Sequence, residues 1–150
     1  MGALRGFPRH HCPIKRYKTR LPGFVHSHMT CRAAAVAAAL AGGSAVALGA
    51  FGAHALRSAL GADALQVWHS AVDYQFWHAL ALLGAAFAPA SRWRSVAVVA
   101  FCLGIALFSG SLYALALGAP RLVGAITPFG GLSFILGWVA IGGAFWRTAK

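Results

Sequence analysis

The stretch WHSAVDYQFWHALALLGAAFAP, from Trp68 to Pro89, decides the fold of this chain because polar residues run directly into apolar ones. The mainly apolar part, Phe76 to Ala90, contains 15 residues and one polar side chain, His78. At about 1.5 Å per residue it spans only about 22 Å, less than the hydrocarbon core of a bilayer at about 30 Å. If this segment crosses a membrane, the polar residues from His69 to Gln75 must therefore lie inside the crossing.

The composition of the chain indicates a membrane protein. Hydrophobic residues make up 59% of the 150 residues and charged residues 10%, whereas a soluble domain carries about 25% charged residues. Three further runs are uncharged and reach the roughly 20 residues that a transmembrane helix requires. The sequence thus predicts an all-α integral membrane bundle of four transmembrane helices, at about residues 33–53, 69–90, 95–118 and 122–146.

The distribution of Lys and Arg predicts the topology. With four alternating helices, one side of the membrane holds Arg32, Arg92, Arg94, Arg147 and Lys150, and the other holds Arg57 and Arg121. The positive-inside rule then places both termini in the cytoplasm, and we expect a multi-pass protein of the bacterial inner membrane. Tryptophans fall at the predicted boundaries, as interfacial belts require: Trp68 at the outer one, and Trp93 and Trp146 at the inner one.

Residues 1–28 differ in character from the rest of the chain. They contain six Lys or Arg, three prolines and no acidic residue, so we expect a disordered basic leader that builds no core. One interpretation is that Met29 is the true initiator and that the leader is an upstream extension of the gene. The alternatives are a polybasic arm on anionic lipid and a transit peptide. The single membrane domain is residues 29–150.

Four segments of the chain resemble a known family: ALGAFGAHAL (47–56), DYQFWHALALLG (73–84), LGIALFSGSLYALALG (103–118) and TPFGGLSFILGW (127–138). They look like domain of unknown function 423, also called transmembrane protein 256, a family of small four-helix membrane proteins with members in bacteria and animals. The resemblance implies a multi-pass membrane protein without an established activity, and it supplies no catalytic residues. Many members carry glutamate where Asp73 stands, which keeps a carboxylate at that position.

The polar residues of the second predicted helix and of the third form a predicted buried polar cluster. With Trp68 at the outer boundary, Asp73 lies about 7 Å deep and His78 about 15 Å deep, near the membrane midplane. We expect this cluster to clasp the helices together, with Asp73 paired to Arg57 or His54 and with His78 bonded to the third helix. Its members are Asp73, Tyr74, Gln75, His78, Ser109, Ser111 and Tyr113.

A metal site is the alternative interpretation of the same residues. His69 and Asp73 are four residues apart on one helical face, and His54 could approach across a short loop, so these three residues are the candidate ligands. Asp73 and His78 diverge by about 140° and do not chelate one ion from a single helix. The clasp is the preferred interpretation, and we therefore expect no metal and no cofactor.

Small residues predict where helix backbones approach closely. Ala45, Gly49 and Ala53 repeat every four residues on the first helix, with Gly52 nearby, and Gly110 belongs to a similar stripe on the third helix. Such stripes are packing seams in membrane bundles. In the fourth helix, Pro128 with Gly130 and Gly131 predicts a kink.

Two classes of function follow from these features. The first is a non-enzymatic structural or complex-associated component, either a homo-oligomer or part of a larger membrane complex. The second is a small pathway for protons, ions or a solute through the second helix, because ionisable residues within a span are functional candidates. An enzyme is less favoured, since the chain lacks HExxH, GxSxG, Walker and CxxC patterns and has only two acidic residues. A lipid bilayer is the expected partner, and nucleic acid is not.

Overall fold

The structure is a computed structural model that describes residues 31–146, and the regular secondary structure of this part of the chain is all helical, without a strand. The predicted all-α fold is confirmed, whereas the expectations for the basic leader and for Met29 lie outside the described residues. Four long helices follow one another, separated by short connections: the first Cys31–Leu56, the second Ala62–Phe87, the third Arg92–Ala116 and the fourth Arg121–Trp146.

The second helix begins earlier than the apolar pattern predicts, at Ala62 rather than near residue 69. Gly61 has an extended backbone, and Asp63 lies in the first turn, where a negative charge interacts favourably with the helix dipole. The helix ends at Phe87 because Ala88 precedes Pro89 and takes the extended conformation that a following proline favours, with φ −63° and ψ 153°. The polar stretch is thus the amino-terminal half of one continuous helix.

The third helix is capped at both ends and widens in its middle. At its start the Ser91 hydroxyl accepts a hydrogen bond from the Arg94 amide at 3.2 Å. Its last residues lead into Gly118, whose φ of 91° is the left-handed conformation typical of a helix terminus. Between these ends, Ile105–Ser109 forms a π-helical turn, and a second such turn, Gly52–Leu56, closes the first helix.

The fourth helix changes from a 3₁₀ to an α conformation where Pro128 stands. Arg121–Ile126 is 3₁₀-helical. In an α-helix the carbonyl of Gly124 would accept from residue 128, but proline has no N–H. The amide of Thr127 donates to that carbonyl instead. Because Pro128 is the second residue of the α-helical segment Thr127–Trp146, its missing donor falls in the first turn, where it is tolerated. At the position of the predicted kink the structure thus has a change of helix type.

The helices pack in chain order, the first on the second, the second on the third and the third on the fourth. The main apolar core joins all four, with Ala38, Leu82, Phe101 and Phe134 among its buried members. Within residues 31–146 the first and fourth helices make no extensive contact with each other. Three of the four helices are long and apolar enough to cross a membrane; the second is the exception.

Glycines of one helix receive side chains or backbone of the neighbouring helix at close range. A Cβ on Gly137 would lie 2.5 Å from Phe101, and one on Gly130 would lie 2.7 Å from the Cα of Phe108. On the first helix, Gly52 receives the Trp68 indole, at 2.6 Å from the position of a Cβ, and Gly49 lies against Val72 at 3.3 Å.

Gly130 therefore serves close packing, as do Gly49 and Gly52. Gly131 is near Phe108 only at ordinary van der Waals distance, 3.9 Å. The prediction for Gly110 is wrong, because it is exposed and a Cβ there would meet nothing within 4 Å in the described chain. The rest of its stripe is not buried either, so the third helix packs through Phe101, Phe108 and their neighbours instead.

Candidate functional site

The side-chain amide of Gln75 joins three helices near the centre of the bundle. Its Nε2 donates to the carbonyl oxygen of Ala41 at 2.9 Å and to the hydroxyl of Ser44 at 2.8 Å, both on the first helix. Its Oε1 accepts a hydrogen bond from the hydroxyl of Tyr113, on the third helix, at 3.0 Å. Gln75 is only 5% exposed, and a buried amide of this kind requires such partners.

Both ring nitrogens of His78, one turn further along the second helix, are engaged. Nδ1 lies 2.7 Å from the carbonyl oxygen of Tyr74, and since a carbonyl only accepts, Nδ1 carries the hydrogen. Nε2 is then the acceptor for the indole N–H of Trp138, on the fourth helix, at 3.4 Å. This arrangement uses the donor and the acceptor of a neutral imidazole.

Aromatic rings surround the imidazole of His78. Phe134 stacks on it with a centroid separation of 3.4 Å and an interplanar angle of 10°. Tyr74 lies roughly parallel to it at 6.0 Å, and Phe101 and Trp138 approach at an angle at 5.9 and 6.4 Å. His78 is 7% exposed, so ring contacts and two hydrogen bonds enclose it.

Trp68 extends the polar network toward the connection between the first and second helices. Its indole N–H donates to the carbonyl oxygen of Leu48 at 3.0 Å, and its ring packs against Tyr113 at 4.6 Å. Trp68 is only 3% exposed. It packs between helices because the second helix begins a further turn and a half before it and because Gly52 makes room for the indole.

Two serines of the third helix behave differently. The hydroxyl of Ser111 donates to the carbonyl of Phe108 at 2.9 Å and lies 2.7 Å from the hydroxyl of Thr127, which links the third helix to the fourth. Ser109 is 1% exposed, and its hydroxyl has no hydrogen-bond partner within residues 31–146. Neither serine contacts His78 through a hydrogen bond, so the expected partners of His78 are wrong.

Asp73 lies outside the buried cluster, whereas Tyr74 lies at its edge, with its ring beside those of the core phenylalanines. Both are exposed, Tyr74 at 37%. Asp73 is two residues from Gln75, which rotates it by about 160° to the opposite side of the second helix. Arg57 and His54, its expected partners, are exposed as well, and neither forms an ion pair with Asp73 in the described part of the chain.

The candidate metal ligands are not brought together. Among residues 31–146, no group of three His, Cys, Asp or Glu side chains is close enough to hold an ion, so His54, His69 and Asp73 do not form a ligand set. His54 lies in the last turn of the first helix, whereas His69 and Asp73 are exposed on the second.

Sequence analysis missed Trp138 and Phe134, the residues of the fourth helix that enclose His78. A signal existed, because an indole N–H within a long apolar segment needs an acceptor, and buried histidine supplies one. It also missed Ala41 and Ser44 as partners of Gln75. Nothing in an alanine-rich helix distinguishes one backbone carbonyl from the next, so this contact depends on how the helices pack.

These features define the class of protein. The described chain consists of helices, three of them fit to cross a membrane, and its few internal polar side chains bond mainly to one another and to the helix backbone. That is a small multi-pass integral membrane protein.

Comparison with known proteins places the chain in a family. Residues 48–131 match the family described as "Protein of unknown function (DUF423)". The UPF0382 inner membrane protein YgdD of Escherichia coli K12 is 46% identical over 113 residues, which cover 73% of this chain and 86% of that protein. The chain therefore belongs to the DUF423 family, as its motifs indicate, and it is a multi-pass protein of the bacterial inner membrane.

Relatives also occur in other bacteria. A UPF0382 membrane protein of Haemophilus influenzae is 41% identical over 105 residues, covering 69% of this chain and 85% of its own length. The UPF0382 membrane protein YwdK of Bacillus subtilis is 46% identical over 101 residues, covering 65% and 82%. No solved structure matches the chain.

Proposed function

We propose that this protein is a non-enzymatic structural component of the membrane, working by itself or within a larger complex, and that its internal polar residues fix how its helices pack. The observation that carries this proposal is the complete engagement of Gln75 and His78. Both polar atoms of the Gln75 amide and both nitrogens of His78 have partners, and those partners lie on three different helices and on the second helix itself.

The proposal includes four crossings with both termini in the cytoplasm. The second helix has 26 residues, which at about 1.5 Å each give about 39 Å, enough to cross. Gln75, in the middle of that helix, bonds to Ala41 and Ser44, which flank the middle of the first helix. The excess of arginine at residues 32, 92 and 94 supports the orientation.

A pathway function is disfavoured by the enclosure of His78. A proton carrier must exchange its proton with water, whereas the Nδ1 hydrogen of His78 is held by a backbone carbonyl and one face of the ring is covered by Phe134. Protonation of Nε2 would replace the acceptor of the Trp138 N–H by a second N–H donor, and the hydrogen bond between His78 and Trp138 would be lost. A surface groove lined by residues such as Val99, Leu103 and Leu136 does not include His78.

The His78→Leu variant tests the functional proposal. We expect it to lower the unfolding temperature of the purified protein in detergent, because the Trp138 N–H loses its acceptor. Trp138→Phe, which removes the same hydrogen bond from the other side, should produce a loss in the same direction. Vesicles with the wild-type protein should show no more proton flux than protein-free vesicles. A wild-type flux that His78→Leu abolishes while the protein stays folded would establish the pathway instead.

The four crossings are tested by labelling with a membrane-impermeant maleimide in a cysteine-free background. A cysteine at Gly61 should react only from the outer side and one at Ala90 only from the cytoplasmic side. Labelling of both positions from the same side would refute the second crossing.

A further inference from the structure

The second helix carries a regular seam on the face that it turns away from the bundle. Six residues follow one another at alternating intervals of three and four, the heptad spacing of coiled coils, and all of them are exposed. Leu80, for example, is 54% exposed and Phe76 is 38% exposed. We call these residues the outer seam; they are Gln66, His69, Asp73, Phe76, Leu80 and Leu83.

The polar half of the outer seam reaches the middle of the bundle. Asp73 lies two residues from Gln75, about 3 Å along the helix axis, and Gln75 bonds across to the middle of the first helix. His78, five residues beyond Asp73, bonds across to Trp138 of the fourth helix. If the second helix crosses the membrane, as the proposed function holds, Asp73 is near the midplane and faces outward.

Lipid is an unsuitable neighbour for this surface. A carboxylate near the bilayer centre is costly, and such groups turn toward protein or water. Asp73 has no ion-pair or hydrogen-bond partner within residues 31–146, and the exposed amide of Gln66 and imidazole of His69 lie on the same face. Such a surface requires hydrogen-bonding neighbours at membrane depth, and a second protein surface would supply them.

We propose that a second copy of this chain covers the outer seam, forming a homodimer through paired second helices; this inference rests on the four-crossing arrangement proposed above. Two copies inserted in the same direction are related by a twofold axis along the membrane normal, so their second helices run parallel with equal residues at equal depth. Heptad spacing is the pattern that such a parallel pair requires.

The chemistry of the outer seam is complementary to itself. The amide of Gln66 carries both a donor and an acceptor and can pair with its own copy. In such a parallel pair each Asp73 packs beside both Asp73 and His69 of the other copy, because His69 is the seam residue one turn earlier, and the two imidazoles supply N–H donors to the facing carboxylates. Below these polar layers Phe76, Leu80 and Leu83 supply apolar knobs. Polar residues at seam positions also fix the register and the number of helices.

Disulfide cross-linking in native membranes tests this proposal. In a full-length variant without Cys12, Cys31 and Cys102, a single cysteine replaces Leu80, and copper phenanthroline is added. The matched control replaces Leu136 of the fourth helix, which is 61% exposed. Leu136 lies between Phe134 and Trp138, the fourth-helix residues that contact His78, so its depth is close to that of Leu80. We expect a cross-linked homodimer with Leu80→Cys and several-fold less with Leu136→Cys.

A second change probes the polar layers. His69→Asp, introduced together with Leu80→Cys, places carboxylates on adjacent turns of both copies and should reduce the cross-linked dimer several-fold without changing the amount of protein in the membrane. Equal cross-linking of Leu80→Cys and Leu136→Cys would indicate random collision and would overturn the proposal. A Leu80→Cys variant that stays monomeric, or one that cross-links to a different protein, would do the same.

Maleimide labelling separates this outcome from a failure of the four-crossing arrangement. If Leu80→Cys neither cross-links nor reacts with the impermeant reagent, the helix crosses but does not pair, and only the dimer is refuted. If it reacts from the outside, the second helix does not cross, and both proposals fail.

Discussion

Replacing Gln75 with leucine tests the polar network at the centre of the bundle. The change removes three interhelical hydrogen bonds, two donated to Ala41 and Ser44 and one accepted from Tyr113. Interhelical bonds in membrane bundles contribute about 0.6 kcal/mol each on average, so the sum is about 2 kcal/mol. Leucine has a similar volume and recovers some of this in contacts, and we therefore expect a loss of about 1 to 2 kcal/mol.

A double-mutant cycle makes this prediction specific. Tyr113→Phe removes only one of the three bonds and should cost about 0.6 kcal/mol, whereas Tyr74→Phe is the matched control, because the Tyr74 hydroxyl has no hydrogen bond within the described residues. Adding Tyr113→Phe to Gln75→Leu should cost little more, since their shared bond is already absent.

The assay is reversible unfolding of the purified protein in mixed micelles, followed by circular dichroism. Gln75→Leu with wild-type stability would show that the network contributes nothing to the fold. Full additivity of Gln75→Leu and Tyr113→Phe would show that their side chains are not bonded to each other. Either result would refute the architectural role that we assign to Gln75.

Two further predictions concern the contact between the third and fourth helices. Gly130→Ala should destabilise the protein by about 1 to 3 kcal/mol, because its Cβ would meet the backbone of the third helix at 2.7 Å. Gly142→Ala is the control and should be neutral in the same unfolding assay, because a Cβ there meets nothing within 4 Å in the described chain. An equal effect of both changes would contradict the packing argument. Ser111→Ala removes the hydrogen bond to Thr127 and should lower the free energy of unfolding by less than about 1 kcal/mol. This loss should still exceed that of Ser133→Ala, because the Ser133 hydroxyl bonds to a carbonyl of its own helix. Urea or dodecyl sulfate titration would measure both losses, and the reverse order would contradict the prediction.

Hydropathy and helix rules predicted much of the fold. The apolar runs gave three helices, and the end of the second, within a few residues. The start of that helix was missed because hydropathy does not register Asp63 or Gln66 as helical, although both are compatible with a helix. The π-helical turn at Ile105–Ser109 could not be foreseen, because it depends on tertiary packing rather than on a local pattern.

The candidate site was predicted only in part. Gln75 and His78, two residues of the predicted cluster, are buried between the helices, and their bonding partners were beyond the sequence because they depend on how neighbouring helices align. Asp73 was placed on the wrong side of its helix relative to the core. The rotation of about 160° between Asp73 and Gln75 was available from the sequence, but the alanine-rich flanks did not show which face is buried.

The rings of Phe101 and Phe134 fit onto Gly137 and Gly104, and Gly130 lies against the backbone of the third helix at Phe108; these contacts limit how this molecule can move. The two rings cross the interface in opposite directions, so neither helix can slide past the other by a turn without driving a ring into an occupied position. The third and fourth helices should therefore move as one rigid body. Any functional rearrangement, including separation of two dimerised copies, should then take place by tilting of this pair against the first and second helices.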